Sequence, residues 1–506
     1  MTRRIGRRTF LGLAGAAAGG LLLGGCSGVP ASRLPAPAPR PLAIPPLASG
    51  TRRGGVRTFA LTAAPGTSAF HPGVGTPTWG YGVAFGGPTL RATRGERVRV
   101  HVTNGLPETT STHWHGMTLP AEHDGGPHSP IEPGATWSPE WTIEQPAATL
   151  WYHPHPHGAT ERHVHRGLAG LFLVDDPEGA PPLPHRYGVD DVPLVVTDRT
   201  FTASGAFDTQ RRSAHGLVGE TLLVNGTVAP YLAVSSSRIR LRVLNASPAR
   251  CYRFARSDDR PMVLVGTDSG LLAAPRTVSS ALLTPGERAE LLLDLDPGRP
   301  VTLRSLPQDL GAVSGTERSI GAQDTLDVLQ IRPAGVLEPA PPLPDALPHE
   351  PGPDEAAATG VRRFTLGNDV INGKAMDMTR IDEVVHTGAV EIWELVNVHS
   401  RPHNMHVHDA RGQVVEAGGR AVPPAERTWK DTVYVPPRTT VRVLLRFGRH
   451  PDPERPFMYH CHLLYHEDQG MMGQFVLVRE GTDPGSVPRN LGGHGAHGGH
   501  GGGHGG

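Results

Sequence analysis

Residues 97–104 read RVRVHVTN, with an apolar β-branched side chain at every second position and an Asn just before a Gly-Leu-Pro turn signal. Successive side chains of a strand point to opposite faces, so such a run buries one face and offers the other to solvent. Seven further β-type runs follow, at 168–176, 192–198, 237–247, 288–295, 389–397, 439–447 and 473–480, each bounded by Gly, Pro or Asn. Gly and Pro make up nearly a quarter of the 506 residues, and long helical periodicity is weak. Many short strands closed by turns are the pattern of β-sandwiches.

Two internal echoes point to repetition. VRVHVTNGLP, IRLRVLNASP and VEIWELVNVHS each place a strand before an Asn-containing turn, and LVNGTVAPYL matches VINGKAMDM. The expected fold is all-β, with three sandwich domains at 55–180, 188–332 and 361–481. Proline- and alanine-rich stretches at 29–54 and 333–360 read as linkers. The Gly/His-rich tail, 482–506, has no residues with which to bury a core.

The chain opens with arginines ahead of a Leu/Ala/Gly run, the shape of a signal peptide over 1–28. Arg7-Arg8-Thr9-Phe10-Leu11 resembles a twin-arginine export signal, and Leu23-Gly24-Gly25-Cys26 a lipoprotein processing box. The expectation is an extracytoplasmic protein anchored to the membrane only through a lipid on Cys26; an ordinary signal peptide with a chance cysteine is the alternative. Acidic and basic residues balance at 48 each, so nothing implies a general attraction to nucleic acid. Of the three cysteines, Cys26, Cys251 and Cys461, the second reads as a buried small hydrophobe, and no disulfide framework is expected.

Four segments carry the chemistry: HWHG (113–116), HPHPHG (153–158), HNMHVH (403–408) and HCHLLYHEDQGMM (460–472). Histidines two apart on a strand share a face. Thus His113 with His115, His153 with His155, His406 with His408 and His460 with His462 form four pairs able to converge on a multinuclear site with nitrogen ligands. Cys461 lies between His460 and His462 and faces the other way. With His403 and His466, and Met471 as a weak axial ligand, it makes the ligand set of a blue-copper site. One strand would then join two metal centres. His157 is expected to support a ligand by hydrogen bonding, and His123, His128, His163 and His165 to lie at the surface or rim.

In this order and spacing the segments resemble those of the multicopper oxidases, the laccases and bacterial cuprous oxidases among them, over about 85–480. The resemblance implies three cupredoxin-like Greek-key sandwiches and four copper ions. His113 and His406 would hold type 2 copper; His115, His153 and His462 one type 3 copper, and His155, His408 and His460 the other. His403, Cys461, His466 and Met471 would hold type 1 copper. Asp124 and Glu467 match positions where related enzymes place proton-supplying carboxylates. The third segment departs from the family's usual H-P-x-H-x-H, because Pro402 precedes His403 and Asn404 follows it.

The activity so implied is one-electron oxidation of a small donor, a phenol, an aromatic amine or a metal ion such as Cu(I), coupled to reduction of dioxygen to water. Asp377 matches an acidic residue of the cuprous-ion site, whereas His399 and Arg401 do not match the other positions. The alternative is a non-enzymatic copper-sequestering protein, aided by His494, His497, His500 and His504 of the tail. Relatives that act in cell division are copper-free and would be expected to have lost ligands, whereas all twelve positions here are filled.

Overall fold

The structure, a computed structural model, describes residues 34, 37–176, 182–312 and 316–491, which lie in one compact unit beginning at Leu34. Arg7-Arg8, Cys26 and the tail histidines lie outside the described residues. Six sheets pair into three sandwiches, and helices are few and short.

In the first sandwich, Val56–His71 pairs in parallel with Arg97–Asn104 and antiparallel with Val74–Tyr81. The facing sheet runs Leu47–Ala48, Thr89–Thr93, Gly170–Asp175, Ala148–His153, His113–His115. Between them lies a core that includes Phe59, Trp114, Trp141 and Phe172. The middle sandwich is centred on Arg238–Asn245 and Arg288–Asp294 in one sheet and on Leu326–Glu338 in the other. The third packs Val390–Asn397 and Thr440–Phe447 against a sheet holding His403–Val407, Thr432–Val435, Asp452–His460 and Met472–Val478.

The Asn echo has a physical basis. Asn104, Asn245 and Asn397 are buried, and each side chain does the same work. Its amide donates to one carbonyl a few residues on (Glu108, Arg250 or Arg401) and to one further along the chain (Ile131, Leu283 or Val435). Its oxygen accepts the N–H two residues ahead, from Leu106, Ser247 or His399. A buried amide must satisfy both ends, so the residue pins each strand end to its sandwich. The second echo is a tight turn: Asn225 and Asn372 take positive φ, 51° and 52°, which Asn tolerates.

The expected linkers are in part built into the sheets. Arg40–Pro41 pairs with Pro230–Ser236 of the middle sandwich, Leu47–Ala48 pairs with Thr89–Thr93 of the first, and Leu42 is buried. Proline is tolerated on edge strands because the donor it lacks is not needed there. The strand Leu326–Glu338 likewise runs past 333, and Leu347 is buried in the middle core. Among the described residues no helix is long and apolar enough to cross a membrane.

Candidate metal centre

The eight paired histidines, four from the first sandwich and four from the third, lie against one another. His153 is opposite His113 in one sheet, and His406 is opposite His460 in the other. All eight are buried. His113 Nε2 lies 3.4 Å from His406 Nε2, His155 Nε2 3.1 Å from His460 Nε2, His408 Nε2 3.3 Å from His460 Nε2, and His115 Nδ1 3.4 Å from His153 Nε2. The His462 ring sits 4.9 Å from that of His115 and 5.3 Å from that of His153, centroid to centroid.

Which nitrogen carries the proton follows from the partner of the other. Carbonyls and carboxylates only accept, so the ring nitrogen facing one must donate. His113 Nδ1 faces the Asp124 carbonyl at 2.9 Å, His153 Nδ1 that of Pro154 at 2.9 Å, and His406 Nδ1 that of Asp431 at 2.9 Å. His408 Nδ1 faces Asp124 Oδ2 at 2.8 Å; His460 Nδ1 and His155 Nδ1 face Glu467 at 3.1 and 3.4 Å. In each case Nε2 is left with its lone pair toward the shared space. His115 is inverted: its Nε2 faces Asp431 Oδ1 at 3.1 Å, freeing Nδ1. Neither nitrogen of the buried His462 has a hydrogen-bond partner among the described residues. Lone pairs of buried imidazoles aimed at one another are costly unless a cation takes them. The donor set therefore fits a multinuclear metal site.

Burial keeps six of these rings neutral, as ligands must be. It drives His115, His153, His406 and His408 well below the usual imidazole range, and His155 and His462 down to about 3. Burial opposes ionisation of Glu467, yet His155 and His460 hold it well below the usual carboxylate range. Asp124 Oδ2 accepts a hydrogen bond from His408 and its Oδ1 lies 3.4 Å from His113 Nδ1, while Glu467 lies 3.4 Å from His155 Nδ1 and 3.1 Å from His460 Nδ1.

Cys461 faces away from the cluster. Its Sγ is 3.6 Å from His403 Nδ1 and 3.6 Å from His466 Nδ1, and these two nitrogens are 3.2 Å apart. His466 Nε2 donates to the Ala214 carbonyl at 3.1 Å, so its Nδ1 is the free nitrogen. The Cys461 N–H donates to the Met471 carbonyl at 3.0 Å, which brings Met471 into the same buried cluster. Burial pushes the Cys461 thiol up to about 12, so a cation is needed to make it a thiolate.

Sequence reasoning missed several supports. Asn404, noted only as a departure, accepts the His462 N–H at 2.7 Å and donates to Pro285 O and Thr284 Oγ1 of the middle sandwich. Asp431 carried no signal beyond its place in a charged triplet, Trp-Lys-Asp. His163 and His165, expected at the rim, are buried. The helix Thr160–Arg166 turns His163 onto Glu108 and Thr110, at 2.7 and 3.0 Å. His157, expected as a support, is exposed. His128 is half-buried, its Nε2 against Gln474 Oε1 at 2.8 Å, rather than solvated. Cys251 is buried with Leu310 and Ile320, as a small hydrophobe.

Two family patterns, both described as multicopper oxidase, match residues 62–179 and 346–480. The solved structure of a laccase-like multi-copper oxidase, CueO from Ochrobactrum sp., is 36% identical with a TM-score of 0.78, covering 87% of this chain and all of that one. Curated relatives point elsewhere in use. Cell division protein FtsP of Escherichia coli (strain K12) is 34% identical over 94% of this chain and 99% of its own. That of Dickeya dadantii (strain 3937) is 36% identical over 86% and 92%. These relatives overturn the expectation of a laccase-like oxidase coupling donor oxidation to reduction of dioxygen. They overturn equally the argument that filled ligand positions exclude a division role: a ligand set says what a site can hold, and one fold serves many uses. The all-β sandwiches, the two patterns and the 36% identical multi-copper oxidase structure agree that the chain belongs to the multicopper oxidase family.

Proposed function

We propose that this chain acts outside the cytoplasm in cell division, the role for which its relatives are named, and that it does so as a copper-holding protein. Identity across nearly the whole of those relatives supports the first part. The observation that supports copper is the convergence of buried, neutral imidazole lone pairs, with Cys461, His403 and His466 grouped separately behind them. In this reading His113 and His406 hold one ion, His115, His153 and His462 a second, and His155, His408 and His460 a third. Cys461, His403, His466 and Met471 hold a fourth. Copper bound there supplies one-electron redox chemistry that the side chains lack. Asp124, Asp431, Glu467 and Ala214 orient the rings through the nitrogens that do not face metal. Export through Arg7-Arg8 and lipidation of Cys26 complete the proposal.

The filled set favours a second reading within the first: the copper is redox-active, and the chain is a copper-dependent oxidoreductase. Bleaching of the blue colour by a reductant and its return in air test that.

Removing the chain from its host tests the whole. Cells lacking it should lengthen or chain, and the intact chain should restore normal division. Metal analysis of the purified protein should find copper in excess of one ion per chain. Normal division without the chain would overturn the first part, and a protein that retains no copper the second.

A further inference from the structure

We infer that Arg288, in the middle sandwich that supplies none of the expected ligands, is a positioning residue that sets which nitrogen His115 turns to the copper cluster; this rests on the copper reading above. His115 is the inverted ring. Its Nε2 faces two groups, Asp431 Oδ1 and Thr432 Oγ1, each at 3.1 Å. The Thr432 hydroxyl spends its proton on Asp431 Oδ1 at 3.0 Å, so both groups meet His115 as acceptors. Nε2 must therefore carry the proton, and Nδ1 the lone pair that faces His153.

Asp431 is held in that attitude from the middle sandwich. Arg288 grips it with two parallel bonds, Nη1 to Oδ1 at 2.7 Å and Nη2 to Oδ2 at 2.6 Å. Its other N–H groups go to the carbonyls of Thr149, Gly286 and Asp268, at 2.9, 3.1 and 2.7 Å. All five guanidinium donors are used, in a fixed fork that a lysine cannot copy. Ser269 adds a bond to Asp431 Oδ2 at 3.0 Å. The pair packs against Gly116, where a Cβ would sit 2.5 Å from Asp431 Oδ2 and 2.8 Å from Arg288 Nη2. The glycine of HWHG is thus explained by the clamp. His115 comes from the first sandwich, Arg288 from the second and Asp431 from the third, so the ring is set only when all three are docked.

Either single deletion strands a buried charge and risks misfolding, so the test variant is Arg288→Met with Asp431→Ala, which removes both charges together. In metal-free wild-type protein, histidine ¹⁵N NMR should show His115 protonated at Nε2 alone. In the double variant Thr432 is free to donate or accept, and both tautomers should appear. Copper titration should show cluster affinity down about 10–100-fold, with the blue colour at Cys461 at full intensity as a control for folding. An unchanged tautomer with unchanged cluster affinity would overturn the inference, as would parallel loss of colour and cluster copper. A wild-type protein that takes up no copper sinks the copper reading alone, and the tautomer comparison still decides this one.

Discussion

Replacing Gly116 with alanine tests how tightly the three sandwiches are docked. Gly116 has φ of 84°, and its absent Cβ leaves room for Asp431 Oδ2, Arg288 Nη2 and Leu150 Cδ2, which a Cβ would meet at 2.5, 2.8 and 3.1 Å. Two costs follow. Left-handed backbone costs an L-residue roughly 1–2 kcal/mol, and overpacking a close-packed site roughly 1–3 kcal/mol. Together Gly116→Ala should destabilise by about 2–5 kcal/mol. Gly54 provides the control: its φ is 58°, but a Cβ there would meet nothing within 4 Å. Gly54→Ala should therefore show the backbone cost alone. Urea unfolding followed by tryptophan fluorescence reads both variants, and Trp114 lies two residues from the site. If Gly116→Ala is no less stable than Gly54→Ala, to within about 0.5 kcal/mol, the close packing of the Arg288–Asp431 pair on Gly116 is refuted.

Other perturbations give equally definite results. Cys461→Ser should remove the blue colour while metal analysis still finds copper in the cluster, because the Cys461 sulfur lies against His403 and His466 and not against a cluster histidine; loss of all copper would contradict two separate sites. The metal-free protein should lose stability as pH falls from about 6.5 toward 3. Burial lowers His155 and His462 to about 3 and His466 to about 4, so over that window the unfolded chain binds the extra protons. Each ring adds up to about 1.4 kcal/mol per pH unit; denaturant midpoints that do not move between pH 7 and pH 5 would refute this. In the middle sandwich Glu290 is buried between Arg240 and Arg242, which hold it down at about 2 against the cost of burial. Glu290→Gln leaves the buried Arg240 without its carboxylate, although Arg242 keeps Asp191, and should cost about 3–5 kcal/mol in the same urea assay.

The sequence showed the local rules plainly. Alternation marked the strands, and the Asn echo marked equivalent turns because the same buried amide closes each one. His113 and His115 lie in one strand, as the alternation requires, whereas in the other three pairs the second histidine lies just past the strand end. The pattern failed where burial depends on neighbours far along the chain. A short helix hides His163 and His165, and a proline-rich stretch becomes edge strand because sheets lie there to receive it.

The spacing of His, Cys and Met along the chain determined which residues could share a metal, since that is local strand geometry. His153 is oriented by the carbonyl of the next residue, but which nitrogen His115, His408 and His466 present was decided only by tertiary structure. The hydrogen bonds responsible join Asp124 to His408, Ala214 to His466, and Asp431 to both His115 and Arg288, across 143 residues or more. A strand's own periodicity sets where a side chain points, but the acceptor on its far side comes from whichever sandwich docks against it. The middle sandwich holds none of the expected ligands, yet through Arg288 it reaches the centre of the site.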